Sequence, residues 1–239
     1  MTIGVWRVAL AAVACSVFIP DLAVAAEMTR EQVAAEISGA TQRPKLTGKD
    51  LSGLDLSGLD FRGADLFSAN LDACRLDGAN LANTNLNRAQ LRGASLRQAT
   101  LVGASLYAVV LDGADLSGAD LSGSRIIGLL NGVNLSGALL RRANLGADMA
   151  NQGMAPARVE MNNAKLRGAD LSDANLMHGI LSYAQFQGAN LRRANLRWAD
   201  LAGANLSDAD VDGADFRDAN FDGTSLRGVK GAGSAAGMD

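Results

Sequence analysis

The sequence is poor in the residues from which most cores and most active sites are built. Phe, Trp and Tyr make up 4% of its 239 residues, too little for a core that takes its buried area from aromatic rings, so an ordinary α/β enzyme is excluded as the expectation. Histidine occurs once, as His178. That removes the commonest general base, excludes sites with several imidazole ligands, and leaves a serine nucleophile without its usual partner. An excess of charge of one sign is also missing. With 22 Lys and Arg against 25 Asp and Glu the net charge is -3, which gives no basic surface of the kind that holds nucleic acid. The sequence contains neither GxxxxGK[ST] nor a strand-linked GxGxxG, so no phosphate cradle is expected. Its one long apolar run, Val8 to Ile19, has twelve residues, short of the roughly 20 that span a bilayer as a helix, and Asp21 prevents its extension.

That run has a different meaning. Arg7 precedes it, and Pro20 and the small-residue stretch Ala23-Val24-Ala25-Ala26 follow it, the three regions of a secretory signal. Residues 1–26 are read as a signal peptide, which places the mature chain in the periplasm or outside the cell. A lipoprotein attached at Cys15 is the alternative, with Ala12 standing where a lipobox usually has Leu. Loss of the signal leaves Cys74 as the lone cysteine, so no intrachain disulfide forms even in an oxidising compartment. Cys74 occupies a position otherwise dominated by Ala, which predicts a small buried apolar role.

What the chain does have is an internal repeat of five residues. From Pro44 it reads PKLTG, KDLSG, LDLSG, LDFRG, ADLFS, ANLDA, with a large apolar residue at each centre. Centres recur every fifth residue from Leu46 to Ile126 and again from Met161 to Leu226; 28 of these 31 are Leu or Phe, and 20 of the residues two places earlier are Ala. A period of five smears around an α-helix and alternates faces on a flat strand. A backbone that turns one corner per unit removes both conflicts, because each central Leu then points to one axis. Four right-angle corners close a coil of twenty residues. Ala fits as the second inward position of so narrow a tube, and Gly, Asn, Asp and Ser suit the corners.

Units such as Ala114-Asp115-Leu116-Ser117-Gly118, Ala119-Asp120-Leu121-Ser122-Gly123 and Ala169-Asp170-Leu171-Ser172-Asp173 resemble the pentapeptide-repeat family, whose pattern is A(D/N)LxG. The resemblance covers 44–228 and implies an all-β fold, a right-handed quadrilateral β-helix, of eight or nine coils at strand spacing, roughly 40 Å long. The family also implies homodimerisation through the C-terminal coil, and some members mimic DNA with an acidic rod and inhibit type II topoisomerases.

Between the two blocks the register breaks, over 129–160. Leu130, Leu135, Leu140 and Leu145 come one residue early, and irregular sequence from 146 leads to Met161. Because 126 to 161 is seven whole units, a one-residue deletion near Leu129 balanced by one extra residue before Val159 is expected, giving one continuous tube with a local bulge. Over 27–43, Thr29-Arg30-Glu31-Gln32 reads as a capping box opening a short helix to about Ile37 that plugs the first coil. The tail, 229–239, is mostly Gly, Ala and Ser and is expected to be disordered.

Three constellations bear on function. At a coil of twenty residues Met177 and His178 neighbour Arg197 and Trp198, with Arg217 and Asp218 on the next coil. This patch is either a partner contact, since Trp and Arg are favoured anchors, or the cover of a corner where Gly is more usual. Met149, Met154 and Met161 either offer soft thioethers to Cu(I) or fill core gaps at the register break. Acids gather at the ends, Asp50, Asp55, Asp60 and Asp65 at one and Asp208, Asp210, Asp212, Asp215, Asp218 and Asp222 at the other, while Arg88, Arg92, Arg97, Arg141, Arg142, Arg192, Arg193 and Arg197 interrupt the acidity between. No catalytic residue, cofactor or metal site is assigned. The expectation is a non-catalytic exported rod that binds a protein partner, not yet identified, or serves as a structural module of the periplasm or cell envelope; the alternative is a DNA-mimicking inhibitor or protector of type II topoisomerase.

Overall fold

The computed structural model describes residues 27–40, 43–149 and 157–238; the signal segment, and Met154 with the rest of 150–156 in the irregular segment, lie outside them. Within the repeat each unit contributes one isolated bridge and one turn. The bridges are parallel and join residues twenty apart, as in Asp50↔Asn70, Asp55↔Arg75 and Asp60↔Asn80. The chain is therefore a four-sided coil, and its faces are numbered here from the bridge columns that begin at Lys45, Asp50, Asp55 and Asp60. The first column passes through Asp65, Asn85, Ser105, Arg125, Asn144, Asn175, Asn195 and Asp215 to Ala236, nine turns of the coil.

The five positions of a unit have fixed environments. The central Leu and the Ala two places before it point inward and are buried along almost the whole length. Each buried Leu contributes about 2 kcal/mol of apolar transfer, and the large and small residues together fill the tube. The residue just before the centre makes the bridge and faces outward. The unit ends at a left-handed corner, occupied by Gly in units such as Gly118 (φ +67°). Where the inward small position holds a hydroxyl, the chain satisfies it: Thr84 donates to Leu81 O and Ser124 to Leu121 O, both at 2.7 Å. Cys74 does the same toward Leu51 O at 2.8 Å, and burial pushes its thiol up to about 11.

The ends are closed by different means. Helix α1, Arg30–Gly39, opens with a capping box between Thr29 and Gln32 and buries Val33 against the first coil. Arg30 donates to Asp55 O and Ser57 O at 2.5 and 2.9 Å, and Glu27 N donates to Asp50 O at 2.9 Å. These carbonyls are the ones a preceding coil would engage, so a guanidinium stands in for two ladder amides. At the other end the tail is ordered, contrary to expectation. Lys230 O and Ala236 O accept from Val211 N and Phe216 N, and Ser234 Oγ accepts from Gly213 N. The glycines serve close approach here: a Cβ on Gly231 would lie 2.6 Å from the Asp212 backbone.

The register break is also not the balanced single-residue exchange expected. Strands β1, Ser105–Val110, and β2, Arg125–Leu129, pair in parallel with a shift between Tyr107 and Val109, so the deletion is a bulge at Ala108 opposite Gly128. The following bridges span 19 residues, and those from Leu129↔Glu160 to Asn144↔Asn175 span 31. Eleven residues more than a single unit therefore separate Asn144 on the first face from Glu160 on the second, an excursion in which 150–156 lie outside the described residues. Asp148 N donates to Ala157 O at 2.8 Å in an antiparallel bridge that closes the base of this excursion. The gain of eleven and loss of one sum to two units, which is why the five-residue phase returns although two faces have been skipped.

Candidate functional site

Because the tube's inward positions are filled by hydrocarbon, any recognition chemistry lies on its outer faces. Among the described residues no group of three His, Cys, Asp or Glu side chains is arranged to hold a metal ion. Met161 is a wholly buried central residue while Met149 is half-exposed, so these two thioethers do not converge, and Met161 fills the core. Among the described residues no helix is long and apolar enough to cross a membrane.

The corner between the first and second faces carries the predicted aromatic patch. His178 and Trp198 occupy left-handed positions, φ +60° and +55°, where Gly is usual, and their backbones are tied to the next coil through His178 N to Arg197 O and Trp198 N to Arg217 O. Their rings stack with centroids 4.9 Å apart and planes 7° from parallel. The Arg197 guanidinium lies 4.2 Å from the Trp198 ring centroid, a cation–π contact worth about 1 kcal/mol at such an exposed site. Its Nε is buried without a hydrogen-bond partner, and the nearest carboxylate, Asp215, is at 4.0 Å. Met177 lies half-buried beside them, its amide bonded to Asn175 Oδ1 at 3.1 Å. Arg217 is drawn away to Asp215 at 2.5 Å. Trp198 remains 41% exposed.

Tyr183 is absent from the sequence-derived patch although it stands at the next corner, one face along, with φ +60° and 64% exposure. Its ring lies across Gly203, where an added Cβ would come 2.5 Å from Tyr Cε1. Between the two corners Ile180 and Leu129 hold outward bridge positions that elsewhere are mostly polar, with Val110 and Leu139 also apolar. That departure from the repeat pattern was a readable signal. Next to Leu129 a depression of about 420 Å³ is lined by Tyr107, Val110, Ile127, Ala157 and Arg158.

About half of the described charged residues form ion pairs, most of them between neighbouring coils. Asp77 meets Arg97 at 2.8 Å, Asp170 meets Arg141 at 2.6 Å, Asp173 meets Arg193 at 2.7 Å, and Asp60 meets Arg62 at 2.7 Å. Hydrogen bonds from the arginines hold Asp77, Asp173 and Asp60 below the usual carboxylate range. Asp55 is likewise held down, by Arg75 first and then by Ser57. At the other end Arg192 engages both Asp210 and Asp212.

The pentapeptide-repeat family model, in eight copies, matches residues 42–72, 74–113, 89–126, 157–193 and 194–230. No curated protein matches the chain. Among solved structures, QnrB1, a plasmid-mediated fluoroquinolone resistance protein, is similar over 73% of this chain and 82% of its own, with a TM-score of 0.62 and 22% identity. HetL, a pentapeptide repeat protein involved in heterocyst differentiation regulation from the cyanobacterium Nostoc sp. strain PCC 7120, is 30% identical over 85% of this chain and 94% of its own, with a TM-score of 0.39. A pentapeptide repeat protein from the Arabidopsis thaliana thylakoid lumen is 30% identical over 53% of this chain and 70% of its own, with a TM-score of 0.22. With its twenty-residue coils and its four bridge columns, this chain is a right-handed quadrilateral β-helix and belongs to the pentapeptide-repeat family.

Proposed function

We propose that the chain is a non-catalytic, exported rod that binds a protein partner in the periplasm or cell envelope. The observation that carries this reading is the exposed His178–Trp198–Arg197 stack, set on a rigid corner of a tube whose interior is closed. Rigid aromatic and Arg side chains are favoured anchors because little entropy is lost when a partner covers them. The N-terminal sequence supports export. A second copy is proposed at the C-terminal coil, where Leu226 is exposed and Phe221 only partly buried.

The test is crosslinking in the native envelope with the wild-type chain and Trp198→Gly. Glycine adopts the left-handed φ of this corner without strain, so the variant removes the ring without loading the fold. Partner capture is expected to fall at least tenfold with the circular dichroism spectrum unchanged. Unchanged capture would sink the proposal. The DNA-mimic reading calls for a surface of free negative charge, and ion pairs at Asp55, Asp60, Asp212 and Asp215 reduce it at both ends. Inhibition of gyrase supercoiling by the purified protein, lost on neutralising the end carboxylates, would support that reading instead.

A further inference from the structure

The second face differs from the other three in both apolar exposure and charge. Six large hydrophobic side chains are exposed among the described residues, and three of them bear on this face. Leu129 is on it, and Trp198 and Tyr183 stand at its two corners. Ile180 continues the band between Leu129 and the aromatic corners.

Most of the acids on this face are unpaired. The third and fourth faces pair Asp55, Asp60, Asp77, Asp170, Asp210 and Asp212 with arginines. On the second face Arg92 pairs with Asp72, and at its first coil Lys49 pairs with Glu27. Among the described residues Asp112, Glu160, Asp200 and Asp222 have no cation within ion-pair distance. Asp200 is held instead by neutral donors, Ser182 Oγ at 2.8 Å and Asn220 Nδ2 at 3.0 Å. The apolar band is thus edged by the carboxylates of Glu160 and Asp200, with the Arg158 guanidinium at the depression beside Leu129 as the opposing charge. Such a surface favours a partner that offers apolar anchors together with Lys or Arg, and disfavours an acidic one.

We infer that the second face, from Leu129 to the Tyr183 and Trp198 corners, is a docking surface for a cationic amphipathic segment of a partner protein. The backbone of this face is held by the ladder, so the partner's segment does the adapting. The aromatic rings supply the anchoring area, and Glu160 and Asp200 supply charge selection at the edge. This inference rests on the binding-module reading and names the partner's chemistry.

The test titrates the purified protein with a synthetic peptide of Leu and Lys in amphipathic order, against a matched peptide with Glu for Lys, following Trp198 fluorescence. The Lys peptide is expected to bind at least tenfold tighter. Tyr183→Gly, which installs the corner's favoured residue, and Glu160→Gln, whose side chain makes no hydrogen bond or ion pair with the described residues, should each weaken it at least fivefold. Asp120→Asn and Val102→Ser on the fourth face should leave it unchanged. No difference between the peptides, or equal weakening by the fourth-face variants, would overturn the inference. Self-association of the wild type that Tyr183→Gly abolishes would also overturn it, by assigning the face to a second copy. If the peptides fail while Trp198-dependent crosslinking persists, the binding-module reading stands and only the cationic partner is lost.

Discussion

At Gly128 the backbone adopts φ +151°, and a Cβ there would fall 2.0 Å from Val109 O and 2.8 Å from Val109 N. This residue lets the coil drop one residue without breaking the stack, because the chain passes directly against β1. Gly123, an ordinary corner with φ +66°, has nothing within 4 Å of its Cβ position. Gly128→Ala is therefore expected to lower stability by about 3 kcal/mol or more, and Gly123→Ala by about 1 kcal/mol, since the second meets left-handed strain alone. Urea midpoints measure both. Equal losses would show that the bulge does not depend on close approach. The same residue scale explains what the sequence yielded and withheld. Trp198 and His178 were found because both follow the excursion and sit in coils of standard length. Tyr183 was passed over because it lies at a neighbouring corner rather than one coil above or below, a relation that the twenty-residue spacing does not reveal.

Among elements, the N-terminal cap shows how a stacked tube is ended. Arg30 satisfies two carbonyls of the third face, Asp55 O and Ser57 O, that otherwise present an unpaired ladder edge. Arg30→Ala should lower stability by about 2 kcal/mol, the range for hydrogen bonds to charged groups. It should also produce concentration-dependent association, read by sedimentation, as open edges meet. A variant that stays monomeric at every concentration would show that α1 covers the edge without Arg30. The capping box made this helix legible, and the period made the tube legible, because any other backbone scatters the central Leu residues. The excursion was not legible. Counting in fives cannot distinguish seven units laid on the tube from five units with eleven residues looped out less one deleted, and only the bridges decide it. Composition misled at the tail, where Gly permits tight passage past Asp212 and Arg217 rather than disorder.

Across the whole molecule, carboxylates such as Asp55, Asp77, Asp170 and Asp215 are held below their ordinary range by arginine hydrogen bonds, with burial opposing them. Their unfolded counterparts take up protons first as pH falls, near the ordinary value of about 3.9. The stabilisation is thus complete near neutral pH and is lost progressively below about pH 4. The urea midpoint should hold between pH 8 and 6 and fall by pH 3; a midpoint that rises in acid would mean that repulsion among these acids outweighs their pairing. The account of function turns on compartment, because an exported rod meets envelope proteins and a cytosolic one meets topoisomerases. Intact mass and N-terminal sequencing of the chain from fractionated native cells decide this most directly. The account predicts a periplasmic or secreted protein that begins at Ala26 or Glu27. A chain recovered in the cytosol with Met1 retained would contradict it.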